Sequence, residues 1–279
     1  MNIANKIIII PTLAALMLSS CVKDTLYDTP HPDHGTIAVN ADWSNRGEGI
    51  DIPGEWNVAI GSYQGTETTD LHSPEYLFPA GVYTLTVWNT AEGIDVSGSV
   101  ATASYSDNTP GWFHTHTQEV TIESDCDYLF NAAMRQQVRQ LTIVLEPQDD
   151  AARRVTAIEA TLGGVASTLD FYNDAHGNPV SVNLNFRKSK EGDKWAAVVR
   201  LLGMSEIPHM LSGTITFADG NPLSLDFESD LSSELSGFNS EKKMPLTLGG
   251  NILATPTETG VTATIEKWET LDDWNVDAF

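Results

Sequence analysis

Few side chains in this sequence are placed to do chemistry. There are two cysteines, Cys21 and Cys126, about a hundred residues apart, so a local disulfide accounts for neither. Cys21 closes the run Met17-Leu-Ser-Ser-Cys21, a thiol after small residues at the end of an apolar stretch. His114-Thr-His116 is the best metal pair, because residues i and i+2 share a strand face. No third ligand can be assigned, since neither Asp107 nor Glu119 has a spacing that singles it out. His31 and His34 beside Asp33 do not build a site either. The 38 Asp and Glu residues give many acid pairs, but nothing places two of them across a cleft as acid and nucleophile. Gly-x-Ser-x-Gly, phosphate-binding glycine loops and His-Glu-x-x-His are absent. The stretches 173–179 and 218–222 lack the alternating acids of a calcium loop. The expectation is therefore no enzyme, no metal and no cofactor.

The context of Cys21 decides its reading. Lys6 precedes an apolar stretch, residues 7–18, broken only by Pro11 and Thr12. Charge, apolar core and small residues are the layout of a secretory signal over residues 1–20. The apolar run is too short for a bilayer-spanning helix, which needs roughly 20 residues. Leu18-Ser-Ser-Cys21 resembles the bacterial lipobox. That resemblance implies acylation of the Cys21 thiol, cleavage just before it, and acylation of the new amino group. Several acyl chains hold a membrane firmly where one holds marginally. Residues 21–35, with two prolines among acids and histidines, then read as a lipidated, solvated tether. Cys126 is left without a partner. It alternates with Tyr128 and Phe130 and is expected as a buried thiol.

The net charge is −23, and residues 1–20 carry only Lys6, so the mature chain is one unit more acidic. Such a surface argues against nucleic acid or anionic headgroups as partners. The 279 residues less the first twenty fit two domains of about 100–150 residues.

The elements that would carry these residues are strands. In Thr36-Ile-Ala-Val-Asn-Ala-Asp-Trp43, residues Ile37, Val39, Ala41 and Trp43 share one face, the period-2 pattern of a half-buried strand. Residues 56–60, 81–88, 94–104 and 113–122 continue it, separated by Gly, Pro, Asn and Asp turns. Residues 132–145 read as a strand crossing a domain boundary near 135. Further strands are expected at 155–162 and 165–171 around Gly163-Gly164. Others follow at 180–187, 195–202, 211–218, 223–227, 246–253 and 260–268. Residues 173–179 read as a turn. Short strands at near-regular spacing indicate β-sandwiches, here two in tandem, at 36–134 and 135–279. Of seven tryptophans, Trp43, Trp56, Trp88 and Trp195 sit in strands and suit cores. Trp112, Trp268 and Trp274 lie nearer loops. Exposed tryptophans stack sugars, so a glycan-binding surface lipoprotein is the alternative function.

Residues 21–33, CVKDTLYDTPHPD, followed by Gly35, by the strand ending Ala41-Asp-Trp43-Ser, and by a last strand ending in Trp268, resemble the anchor-subunit lipoproteins of Bacteroidales fimbriae, the FimB/Mfa type of the fimbrillin superfamily. Phe78-Pro-Ala-Gly-Val-Tyr83 adds to the likeness. Val22-Lys23-Asp24 resembles the export signal of surface lipoproteins in the Bacteroidota; a periplasm-facing position is the other reading. The resemblance implies an all-β chain of two transthyretin-like β-sandwich domains after the signal peptide. It also implies attachment to the outer membrane through acyl chains on Cys21. The partner it implies is a fimbrial stalk subunit, met by strand exchange. Related stalk subunits lose their first strand to an arginine-specific protease, and the opened groove accepts a neighbour's strand. Anchors keep theirs. Here residues 36–43 would be the retained strand. Arg46 would be a protease-sensitive position that must stay protected. The segment holding Trp268, Trp274 and Phe279 is the candidate for donation, although its acids and poor alternation equally suit a tail lying on its own domain.

Overall fold

Alternation of apolar and polar residues sets strand after strand along this chain. The computed structural model describes residue 31 and residues 33–106, 109–148, 151–190, 193–218, 222–257 and 260–271, without the side chains of 151, 152 and 254–262. The strands in chain order are β1 (His34–Asp42), β2 (Trp56–Ile60), β3 (Tyr63–Glu67), β4 (Leu71–His72), β5 (Phe78–Pro79), β6 (Gly81–Asn89), β7 (Ile94–Ser97), β8 (Val100–Ala103), β9 (His114–Ile122), β10 (Asp127–Ala133), β11 (Arg135–Gln136) and β12 (Arg139–Pro147). One helical turn, α1 (Ala151–Arg154), precedes β13 (Val155–Asp170), β14 (Ala175–Asn185), β15 (Arg187–Lys188), β16 (Trp195–Leu201), β17 (Met210–Phe217), β18 (Ser224–Asp230), β19 (Leu246–Thr257) and β20 (Gly260–Thr270). The all-β expectation holds.

Four sheets result. The first has the order β10-β1-β4, with β5 on the start of β1; the second is β11-β9-β6-β2-β3. The third is β15-β16-β12-β19-β20, and the fourth is β18-β17-β13-β8-β7 with β14 on β13. Ile37, Val39, Trp56, Val58, Leu85 and Ile122 join in one core between the first two sheets. Leu141, Ile143, Leu162, Ile215, Leu248 and Ile252 belong to the core of the other two.

The two halves are sewn together. The β7–β8 hairpin, turned by Gly98 at φ 61°, leaves the first half and pairs with β13 through Thr102↔Thr168, Ala101↔Leu169 and Val100↔Asp170. A third core draws Ala101 and Phe113 from the first half and Val138, Leu169 and Leu202 from the second. The Tyr105 hydroxyl donates to the Ala166 carbonyl at 3.1 Å and accepts the Leu202 N–H at 3.0 Å. The hairpin thus crosses the division expected at 134/135.

Local differences from the sequence reading have physical causes. Gly163-Gly164 does not split two strands. β13 runs through it with a bulge between Leu162 and Val165. Gly164 takes φ +76°, and a Cβ there would meet the Pro208 carbonyl oxygen at 2.7 Å. The turn expected at 173–179 closes earlier, with Asp174 at φ 53°, and β14 begins at Ala175. Cys126 is half-buried, not buried, because β10 starts only at Asp127. Tyr128 and Phe130 do share a face, stacked with centroids 5.7 Å apart. The solvation expected over residues 21–35 does not hold at His31. The His31 ring is buried, its Nδ1–H donates to the His34 carbonyl at 3.0 Å, and its Nε2 lies 3.2 Å from the Asp127 carboxylate.

Candidate functional site

The first strand is seated on both edges. β1 pairs in parallel with β10 over seven residue pairs, from Thr36↔Asp127 to Asp42↔Ala133. β4 and β5 flank the other edge antiparallel. Ile37, Val39, Ala41 and Trp43 are all buried on one face, the set that the sequence alternation picks out. Each large apolar side chain removed from water contributes about 1.5–3 kcal/mol. Stripping β1 away would lose that burial and leave the β10 backbone unpaired.

The chain leaving β1 is clasped. Ser44 donates its N–H to the Asp42 carboxylate at 2.9 Å, the main cause of a lowered Asp42 pKa. The Arg46 guanidinium donates back to the Trp43 carbonyl at 3.0 Å and on to the Ile50 carbonyl at 2.8 Å. Arg46 is half-buried and Gly47 is buried. The Gly47 N–H donates to Gln136 Oε1 at 2.8 Å. Gln136 Nε2 in turn donates to the Val138 carbonyl at 2.8 Å and the Lys242 carbonyl at 2.7 Å. One buried glutamine therefore ties together the strand exit, the interdomain linker and the turn at 240–244. A Cβ on Gly47 would sit 2.8 Å from the Lys243 carbonyl oxygen, so the close approach requires glycine there. Lys243 Nζ donates to Asn45 Oδ1 at 2.8 Å.

Behind the clasp lie buried titratable groups. His114 is fully buried, edge-on to Trp43 at 5.8 Å, and neither ring nitrogen has a partner. Burial first, and the Arg46 charge second, push its pKa down to about 4. Lys242 is 5% exposed; its ammonium donates to Gln137 Oε1 at 3.0 Å and to His176 Nε2 at 3.1 Å. Burial lowers Lys242 to about 8, and burial with the neighbouring Lys242 charge lowers His176 to about 4. Lys242 and His176 thus hold one another in place.

The residues that the sequence singles out fall in different places. Arg46 stands in the clasp. Trp268 lies in β20, partly buried against its own core, with its indole N–H donating to Ser229 Oγ at 2.8 Å. Cys21, Trp274 and Phe279 lie outside the described residues. His114 and His116 are not brought to a third ligand, and among the described residues no group of three or more His, Cys, Asp or Glu could hold a metal. Every described tryptophan is buried or half-buried; Trp112 lies under the Arg200 guanidinium at 5.4 Å. Sequence reasoning missed Asn45, Gln136, Lys242 and Lys243. They meet across separations of about 90–200 residues, for which a single sequence carries no signal.

A family model described as fimbrillin-A associated anchor proteins Mfa1 and Mfa2 matches residues 58–274. The chain belongs to this family. The matched interval begins after β1 and Arg46, so it is independent of the N-terminal residues on which the sequence resemblance rests most. Solved structures share the fold. The fimbrial anchor protein Mfa2 from Porphyromonas gingivalis is 13% identical with a TM-score of 0.55, over 86% of this chain and 98% of that one. An adhesin candidate from Bacteroides ovatus is 14% identical with a TM-score of 0.58, over 85% and 94%. A candidate polysaccharide-binding protein from Bacteroides thetaiotaomicron is 8% identical with a TM-score of 0.52, over 88% and 99%. No curated protein matches the sequence. Family membership makes this a fimbria-associated protein of the cell surface.

Proposed function

We propose that this anchor-family chain is a lipoprotein, fixed in the outer membrane through acyl chains on Cys21. It keeps its first strand and so terminates or regulates assembly of a fimbria. Its partner is a stalk subunit, engaged by strand exchange. Two transthyretin-like sandwiches, one on each pair of sheets, are the architecture this reading implies. The observation that carries it is the clasp. β1 is fully seated, and the bond after Arg46 is tied into Gln136 and the turn at 240–244. A subunit matured by cutting there would need that bond accessible. A subunit that must keep its strand and its lipid needs it held.

The glycan-binding alternative draws no support from the described tryptophans, none of which is exposed. Donation by the 268–279 segment is limited by Trp268, which is built into β20, so a donated strand would have to begin beyond it.

The test is exposure of the folded protein to an arginine-specific protease, with mapping of cut sites. The expected result is slow cleavage after Arg46 and continued co-purification of residues 21–46 with the rest. Rapid cleavage after Arg46 in the wild type, followed by polymerisation, would overturn the retained-strand reading.

A further inference from the structure

The exit of β1 leans on a buried imidazole. His114, the first residue of β9, is fully buried. Its ring meets Trp43 edge-on at 5.8 Å, and among the described residues neither nitrogen has a hydrogen-bond partner. The polar neighbours are already committed. Asn89 Oδ1 accepts the His114 backbone N–H at 2.6 Å, and Asn89 Nδ2 donates to the Thr90 and Trp112 carbonyls, each at 2.9 Å. Gln136, opposite His114 across the β9–β11 pair, uses its amide on Gly47, Val138 and Lys242. The charge that bears on the ring is the Arg46 guanidinium at the centre of the clasp, and it repels a proton. Trp43 after β1, Asn89 of β6 and Gln136 of β11 are neutral.

The other histidines along β1 stand differently. At its entry, the His31 ring lies 3.2 Å from Asp127 and 4.0 Å from Asp125. Beside its middle, His72 sits opposite Val39, with Glu67 3.6 Å from Nδ1 and the Tyr63 hydroxyl 2.8 Å from Nε2. A proton at either of these sites meets a carboxylate. A proton on His114 meets a guanidinium in a water-free setting, where an uncompensated charge is costly. The strand is therefore acid-tolerant at its entry and acid-sensitive at its exit.

We propose that His114 is an acid-operated release for the clasp: a proton on its ring drives Trp43 and residues 44–50 away from the β9–β11 pair, while the entry of β1 stays seated. Opening gives the ring water and moves Arg46 away from it. It also breaks the bond from Gly47 to Gln136, so the Arg46–Gly47 peptide becomes reachable. The sign follows from linkage. The closed form holds the ring at about 4, below its ordinary value of 6.5, so the open form binds the proton first as pH falls. Between pH 7 and 4.5 that difference favours opening by on the order of 50-fold. The release works whether or not Cys21 carries lipid; only its consequence, loss of the first strand, rests on the retained-strand reading.

Hydrogen–deuterium exchange of the full-length protein at about pH 7 and pH 4.5, corrected for intrinsic exchange rates, tests it. The reporters are the Gly47 and Ile50 amides in the clasp and the Thr36 amide at the entry, bonded to the Cys126 carbonyl at 3.0 Å. The amides of β12 report unfolding of the whole chain. The expected result is a loss of clasp protection by tens of fold at the lower pH, a smaller loss at Thr36, and β12 still exchanging more slowly than the clasp. His114→Phe keeps a ring against Trp43 and cannot take a proton, so it should abolish the clasp's loss; His114→Leu serves in its place if the larger ring does not fold. Clasp protection equal at the two pH values would overturn the proposal. So would a clasp and β12 that exchange at one common rate in acid, which would mean global unfolding. A loss in the substituted protein as large as in the wild type would place the sensor elsewhere and overturn it too.

Discussion

At the scale of single residues, Gln136 is the hinge pin of the clasp. Its amide accepts the Gly47 N–H and donates to two carbonyls in a buried setting. Gln136→Ala leaves those groups unpaired, at a cost of about 1–3 kcal/mol. Proteolysis of a transiently opened segment follows the population of the open form. Cleavage after Arg46 should therefore rise about 5- to 160-fold in Gln136→Ala, measured by mass spectrometry over time under dilute protease. The buried bases give a pH signature. His114 has a folded pKa of about 4, below the ordinary histidine value, so the unfolded chain binds its proton first as pH falls. Stability should drop from about pH 6.5 toward 4, and His114 alone accounts for roughly 3 kcal/mol of that span. Lys242 has a folded pKa of about 8, again below its ordinary value, so the unfolded state binds more protons between about 8 and 10. Stability should rise across that window, and Lys242→Met should flatten the rise in chemical denaturation run at each pH. A wild-type curve that is level from 8 to 10 would contradict the buried, charged lysine.

At the scale of elements, β1 was legible and its surroundings were not. Ile37, Val39, Ala41 and Trp43 announce one buried face by alternation alone, and the strand forms there, starting two residues earlier than expected. The parallel partner β10 lies some ninety residues on, and nothing local names it. Gly163-Gly164 misleads for a physical reason. A glycine pair marks a turn or a bulge equally well, and only the pairing of β13 with both β14 and β17 decides for the bulge. That bulge gives a prediction. Gly164→Val would force a branched side chain into φ +76° against His209 Nδ1 at 2.5 Å and the Pro208 carbonyl oxygen at 2.7 Å. Backbone strain alone costs about 1–3 kcal/mol, and the clash adds to it. Tm should fall by several degrees. An unchanged Tm would mean that β13 does not carry the bulge.

At the scale of the whole molecule, the class was legible and the coupling was not. Alternation and turn residues sufficed for an all-β chain. They could not show that the β7–β8 hairpin belongs to the second half's sheet, because pairing between Thr102 and Thr168 leaves no mark in either segment. The candidate site was legible only as Arg46, a lone arginine after a strand. Its clasp depends on Gln136 and on the turn at 240–244, reached only through the fold. A shared core of Ala101, Phe113, Val138, Leu169 and Leu202 should make the two halves unfold together. One calorimetric transition is expected for the wild type. Ala101→Asp, which buries a carboxylate in that core, should split or broaden it. Two separate transitions in the wild type would show that the halves are energetically independent.

The proposed anchor role requires that one polypeptide keep both its lipid and its first strand. The most direct measurement is the intact mass of the protein extracted from membranes, with mapping of its N-terminal peptide. The mature protein should carry acyl groups on Cys21 and an unbroken chain through Arg46 and Gly47. A mature chain beginning at Gly47, without lipid, would contradict it and mark a subunit matured by proteolysis.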